Sequence, residues 1–239
     1  MGRHGTIANR KSAQDSKRSA MFTKYSRQII VAAKDGGDPD FNPSLRVAID
    51  KAKGIGMPND NINRAIKKGT GELGGESYEE LQFEGYGPSG VAVIVEALTD
   101  NKNRTASFVR SVFDKNGGNL GTPGCVSYMF SRKGVIIIDS EDLDEEEVMM
   151  VALDAGADDM IVNEDNFEIR TEPSAFNEVH KAIKDSGFDI VEAEIEQIPS
   201  MEANVTDESA VKSLTKLINS LEDNDDVQKV YFNCDLDLE

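Results

Sequence analysis

Residues 190–198 read Ile190-Val191-Glu192-Ala193-Glu194-Ile195-Glu196-Gln197-Ile198, and from Val191 to Glu196 apolar and acidic side chains alternate strictly. Successive side chains of a strand point to opposite faces, so the pattern predicts a sheet with one wet face and one packed on helices. That is α+β layering, not a doubly wound parallel core, whose strands would be apolar on both faces. Working back from this strand, a helix starts at Pro173, carries Phe176, Val179 and Ile183, and stops at Gly187. Before it come strand patterns at 167–171 and 160–163. A helix opened by the capping pair Asp144 and Glu147 and stopped at Gly156, and a strand at 135–139, precede those. The order βαββαβ is a complete unit of ferredoxin-like type.

Further out, strands at 91–98 and 126–130 flank a helix at 104–116 with Phe108, Val109, Val112 and Phe113 inward. A helix after Asp207, with Val211, Leu214, Ile218 and Leu221, leads to a strand at 227–232. These flanking pieces nearly form a second unit of the same kind. The expected fold class is therefore α+β: an N-terminal three-helix domain (1–75), then two ferredoxin-like domains, one (132–199) inserted in the other (76–131 plus 200–239). The glycine-rich stretch 69–75 reads as a flexible joint.

The N-terminal region has helical periodicity. Phe22, Tyr25, Ile29 and Ala33 recur at steps of three and four from about Ala13 to Lys34. Asn42-Pro43 opens a second helix with Leu45, Ala48, Ile49 and Ala52 inward, and Met57-Pro58 opens a third with Ile62, Ala65 and Ile66. At about 100° per residue, Lys17, Lys24, Arg27 and Lys34 fall opposite the apolar stripe of the first helix and predict a cationic face. Between Arg3 and Lys34 stand eight Lys/Arg, Arg18 among them, and one acid, Asp15. The 239 residues carry a net charge of −18, yet residues 1–75 hold 14 Lys/Arg against 7 Asp/Glu while 76–239 hold 12 against 37. A basic module attached to acidic domains predicts contact with a polyanion through phosphates, which provide affinity but little sequence reading.

Chemistry is poorly represented. Cys125 and Cys234 lie far apart with no metal-ligand spacing and read as buried small hydrophobes. Only His4 and His180 are histidines, and His180, beside Val179 on an apolar helix, reads as a boundary residue. Gly85-Tyr86-Gly87-Pro88-Ser89-Gly90 matches the dinucleotide fingerprint but leads into a strand instead of a helix, so it is a turn. Asp35, Asp38, Asp40 and Asn42 miss the Gly and Glu of a calcium loop. Asn103 reads as a helix cap, and the acidic clusters at 144–147 and 222–226 as solvated. The segment 99–104, with Arg104 and then Arg110, is a cationic spot whose helix start could meet an anion or pair locally with Asp100 and Asp114. No cofactor, metal or paired acid and base is implied, and the expectation is a protein that is not an enzyme. The longest apolar runs are strand-sized and the basic N-terminus has no apolar core behind it, which predicts a cytoplasmic protein without membrane contact.

Several blocks together carry a resemblance: Arg10-Lys11, Phe22-Thr23-Lys24, Ala32-Ala33-Lys34, Asn42 to Arg46, Ala48-Ile49 with Lys51-Ala52-Lys53, Met57-Pro58 with Asp60-Asn61-Ile62, Arg64 to Gly71, Glu84 to Pro88, and Leu98 to Thr105. The chain resembles the YebC/PmpR family of bacterial proteins, related to a mitochondrial translational activator of cytochrome oxidase, over essentially its full length. It departs at Arg3-His4-Gly5-Thr6 and in having no Trp. The resemblance implies a helical domain followed by two α+β domains, and a nucleic-acid partner: DNA, as a transcriptional regulator, or ribosomal RNA, as a translational activator at the ribosome. Carried over by position, it marks Arg10, Lys11, Lys24, Lys34, Arg46, Lys51, Lys53, Arg64, Lys67, Lys68 and Arg104 as contact residues. The competing readings are a protein-interaction adaptor whose acidic domains bind a basic partner and, weakest, an enzyme using the interdomain cleft. No small-molecule substrate is expected.

Overall fold

The computed structural model describes residues 4–74 and 77–235, and side chains from residue 18 onward except that of Pro43. The spacing of Phe22, Tyr25, Ile29 and Ala33 winds into a long helix α1 (His4–Ala32), extended by a 3-10 turn over Ala33–Asp35. Helix α2 (Pro43–Gly54) starts where the Asn42 side chain accepts the Leu45 N–H, with proline in its first turn. Helix α3 (Asn59–Gly69) comes directly after Pro58. Ile29, Ala33, Leu45, Ala52, Ile62 and Ala65 form the bundle core. Gly69 is required at the close approach of α3 to α1, since a Cβ there would stand 2.5 Å from the Ile30 carbonyl oxygen.

Strands β1 (Glu79–Tyr86), β2 (Ala92–Thr99), β3 (Asn119–Leu120) and β8 (Val227–Phe232) pair in the antiparallel order β3-β1-β2-β8. Val91, Val93 and Val95 pack against Val109, Val112 and Phe113 of α4 (Lys102–Lys115) and Leu214, Leu217, Ile218 and Leu221 of α7 (Glu208–Glu222). Two strands were not expected from the sequence, the two-residue β3 and β1, which fills the slot between β2 and β3 of a split βαβ unit. Tyr78 and Leu98 belong to the same apolar cluster as the bundle. The stretch 69–75, expected as a joint, links two parts that pack on each other: the helices and this sheet lie in one compact unit, 1–126 with 203–239.

The second compact unit, 127–202, contains β4 (Phe130–Asp139), α5 (Glu145–Asp154), β5 (Asp159–Val162), β6 (Asn166–Thr171), α6 (Phe176–Asp185) and β7 (Ile190–Pro199). Its antiparallel order, β5-β6-β4-β7, is the ferredoxin-like one that the βαββαβ pattern predicts. Two details differ from expectation. The strand expected at 126–130 is a 3-10 turn (Ser127–Met129) that feeds one long β4. In β7 the register slips between Ile137 and Ile138 of β4, so Glu192 faces Ile137, Ile190 faces Ile138, and Val191 is unopposed and 68% exposed. A bulge of this kind changes which face the neighbouring side chains take, so Val191 points out while Ile190 and Ala193 reach the core. The fold class is α+β.

Candidate nucleic-acid interface

In the cationic stripe of α1, Lys24 and Arg27 are partly buried and Lys34 is exposed, and all three make contacts within the chain. The Arg27 guanidinium donates to the Asp226 carboxylate at 2.8 Å, to the Leu98 carbonyl at 3.4 Å and to the Asp225 carbonyl, and it lies 5.4 Å over the Tyr78 ring. Its side chain is 12% exposed and that of Asp226 5%. Lys24 Nζ donates at 2.8 Å to the Glu222 carbonyl, one of the carbonyls left unpaired at the C-terminal end of α7, where a cation suits the helix dipole. Burial pulls the Lys24 ammonium below its ordinary pKa, partly offset by Glu222, Asp225 and Asp223. Lys34 Nζ donates to the Tyr78 carbonyl at 2.9 Å. The expectation of an open face is corrected for Lys24 and Arg27, which are partly buried in these contacts, while Lys34 stays exposed with its ammonium on the Tyr78 carbonyl. The bundle lies on one side of α1, and the loop before β8 and the ends of β2 and α7 lie on the other.

The spot at 99–104 meets the same loop. Arg104 Nη2 donates to Asp226 at 2.9 Å and to Asp100 at 2.7 Å, and the Thr105 hydroxyl donates to Asp226 at 2.7 Å. The Asp226 carboxyl is raised by burial, but the hydrogen bonds from Thr105 and Arg104 and the charge of Arg27 outweigh this and hold it below the ordinary carboxylate value. Local pairing, not an open anion site, is thus what Arg104 does, with Asp226 in the role expected of Asp114. The cap of α4 is Asn101, whose side chain accepts the Arg104 N–H, and not Asn103. Asp226 was the residue missed. It sits in the acidic run 222–226 that reads as solvated, and nothing local distinguishes it from its neighbours.

The other basic residues divide between braces and open positions. Arg46 donates to the carbonyls of Pro39 and Asp40 at 3.1 and 3.0 Å and braces the turn before α2. Arg18 lies 5.5 Å over the Phe22 ring. The side chains of Arg10, Lys11 and Lys17 lie outside the described residues. Lys51 is half-buried near the end of α2, and Lys53 beside it is exposed. Arg64 and Lys67 are exposed and Lys68 half-buried on α3. Arg64 with Lys67 and Lys68 stand at i, i+3 and i+4, the spacing that makes neighbours on a helix surface. Arg110 is exposed on α4. The structure therefore sets Arg64 and Lys67 in solvent with the half-buried Lys68 beside them, holds Lys24 and Arg27 in partly buried contacts, and leaves Lys34, Arg46 and Arg104 exposed while their head groups bond neighbouring carbonyls or carboxylates.

The residues suited to catalysis or metal binding are sparse. His180 lies against the Phe176 ring, 6.1 Å between centroids, and burial lowers its pKa. Among the described residues the one grouping with metal-ligand proximity is Glu192, Glu194 and Glu196, a row of acids on β7 without His or Cys.

The family model described as the TACO1/YebC protein N-terminal domain matches residues 3–72, and that described as the TACO1/YebC second and third domain matches residues 78–234. The chain belongs to the TACO1/YebC family. The division between the two matches falls in the segment joining α3 to β1. A family member of Clostridioides difficile strain 630, named a probable transcriptional regulatory protein, is 54% identical over 239 residues, covering 99% of this chain and 100% of that protein. One of Listeria monocytogenes serotype 4b, with the same name, is 53% identical and covers 96% of each chain. The crystal structure of the conserved hypothetical protein Aq1575 of Aquifex aeolicus superposes with a TM-score of 0.84 at 47% identity, covering 94% of this chain and 93% of that one.

Proposed function

We propose that this TACO1/YebC family member is a non-enzymatic regulator of gene expression that holds nucleic acid by its phosphates, with DNA in transcriptional control as the target. The observation that carries the reading is the patch on α3 of Arg64 and Lys67, both exposed, with the half-buried Lys68 beside them, within a half that holds 14 Lys/Arg against 7 Asp/Glu. One acid, Asp60, lies on that helix, in its first turn, where it suits the dipole and leaves the last turn cationic. The names of the relatives from Clostridioides and Listeria support the transcriptional part. A surface of this kind provides binding and register on a backbone instead of base-by-base reading.

The test has two arms. Replacing Arg64, Lys67 and Lys68 with glutamine lowers affinity for a duplex and reduces the slope of log affinity against log salt by about 2.7, from about 0.9 per phosphate contact. Crosslinking in cells followed by sequencing of bound nucleic acid recovers promoter fragments. Recovery of ribosomal RNA without promoter DNA would move the activity from transcription to translation. An unchanged salt slope in the triple variant would refute the α3 patch.

A further inference from the structure

Between residues 76 and 239 acids outnumber bases 37 to 12, but the bases are not spread evenly. Six of them, Lys102, Arg104, Arg110, Lys115, Lys212 and Lys216, lie on α4 and α7, the two helices that cover one face of the first sheet. Only Asp114, Glu208 and Glu222 accompany them there. The rest of this half therefore holds 6 bases against 34 acids, and the helical layer is a cationic island on it. Two of the six are committed: Lys102 to Glu79 at 2.5 Å, and Arg104 to Asp226 and Asp100. Arg110, Lys115, Lys212 and Lys216 are exposed, and Arg110 and Lys115 make no ion pair among the described residues.

The outer side of α4 is also shaped. A shallow concavity of about 640 Å³ is lined by Asn103, Ser107, Arg110, Ser111, Asp114 and Lys115, with Ala106 as its one apolar wall. Asn103, Ser107, Arg110, Ser111 and Asp114 fall at i, i+4, i+7, i+8 and i+11, a single stripe that runs about 16 Å along the helix at 1.5 Å per residue. The groups it presents are an amide, two hydroxyls and a guanidinium, with the Lys115 ammonium beside them. These are the donors that contact phosphate and sugar. The interior side of the same helix, Val109, Val112 and Phe113, is packed against the sheet, so the stripe is held rigidly.

We propose that the outer face of α4 is a second contact surface for a polynucleotide backbone, separate from the patch on α3. This inference rests on the nucleic-acid reading above. It commits to phosphate because the donors are neutral hydroxyls and amides interleaved with two cations, in a region whose other surfaces repel polyanions. Asp114 is the one opposing charge in the stripe and limits the affinity.

The experiment measures fluorescence anisotropy of the full chain with a fluorescein-labelled RNA hairpin and a labelled DNA duplex over a salt series. The variant Arg110→Gln/Lys115→Gln is compared with Lys181→Gln/Lys184→Gln, which makes the same charge change at exposed positions of α6. The α4 variant is expected to weaken binding to both probes and to reduce the salt slope on the DNA duplex by about 1.8, from about 0.9 per contact. The α6 variant is expected to keep the wild-type slope, and Asp114→Asn to bind more tightly than wild type. Equal behaviour of the α4 and α6 variants, with the wild type binding, would overturn the α4 surface alone. A wild type that binds neither probe would overturn the nucleic-acid reading and this surface together. Displacement by poly-glutamate as effective as by unlabelled RNA at equal charge would overturn the assignment to phosphate.

Discussion

Replacing Asp226 with asparagine tests how α1 is held to the first α+β domain. The carboxylate and the Arg27 guanidinium it meets are 5% and 12% exposed, so the pair is out of water on both sides. Removing one partner of a buried ion pair leaves the other charge uncompensated and costs about 3–5 kcal/mol. Asparagine keeps the volume and one oxygen for the Thr105 hydroxyl, which places the loss near the lower end, about 3 kcal/mol. Arg104, half in solvent at 52% exposure, turns to Asp100 and adds little. In a chain of this size about 3 kcal/mol lowers Tm by about 6–12 °C, read by calorimetry or by circular dichroism. The Asp226 pKa lies below its unfolded value, so its stabilisation is present above the ordinary carboxylate pKa of about 3.9 and is lost as pH falls through the still lower folded value. The Tm gap between wild type and Asp226→Asn is therefore constant from neutral pH down to about pH 5 and closes below about pH 4. Arg27→Met combined with Asp226→Leu, which replaces the pair with apolar groups, recovers at least half of the loss. A Tm within about 1 °C of wild type for Asp226→Asn at neutral pH, against the shift expected at this size, would refute the account of α1 as clasped by this residue.

Packing and burial set two further outcomes. Gly69→Ala drives a Cβ to 2.5 Å from the Ile30 carbonyl oxygen and 2.6 Å from the Ala33 Cβ, and it destabilises by about 1–3 kcal/mol in chemical denaturation. Gly54→Ala, at the end of α2 with nothing within 4 Å, is neutral or stabilises by about 0.4–1 kcal/mol. Burial, then the charge of Glu84, raises the Cys125 thiol above its ordinary pKa, and burial, then Asp235, raises Cys234. Both therefore alkylate with iodoacetamide several-fold more slowly at neutral pH than in the urea-unfolded chain, Cys234 the slower, as peptide mass spectrometry would show.

The elements carried by side-chain periodicity were legible. Phe22, Tyr25, Ile29 and Ala33 gave α1, and the run from Val135 to Ile198 gave a ferredoxin-like unit whose strand order the structure repeats. Strand β1 was not read, although Leu81 and Phe83 alternate, because Glu79, Glu80 and Glu84 surround them. Glu84 is buried with its carboxylate accepting the N–H groups of Gly124 and Val126 at 2.9 and 3.0 Å, about forty residues away, and the Gln82 side-chain N–H at 3.1 Å. The fate of the cations was hidden for the same reason. Arg27 and Asp226 are separated by 199 positions, and no local pattern in either segment announces the other. Arg64 and Lys67 were legible as basic residues, but only the fold separates them, as exposed, from Lys24, Arg27 and Lys68, which are partly buried. Lys115, Lys212 and Lys216 were not singled out, because each stands alone in an acidic half and only the packing of α4 beside α7 gathers them.

Internal contact does not amount to neutralisation, and the difference matters for the proposed function. Lys24, Lys34 and Arg46 donate to backbone carbonyls, of Glu222, Tyr78, and Pro39 with Asp40. A carbonyl satisfies the hydrogen bonds of a cation but removes none of its charge. Within this set only Arg27 and Arg104 meet carboxylates, and they share Asp226. The excess of seven positive charges in residues 1–75 therefore persists in part as a field, reduced where Asp226 pairs with Arg27 and where Glu222, Asp223 and Asp225 lie near Lys24, while the groups free to touch a phosphate are far fewer. A field without matching contacts steers a polyanion toward this end of the chain and away from the acidic remainder. Where it then stays depends on short patches such as Arg64, Lys67 and Lys68. Orientation and affinity are thus separable properties here: neutralising Lys24 or Lys34 acts on the first through the field, whereas neutralising the α3 patch acts on both.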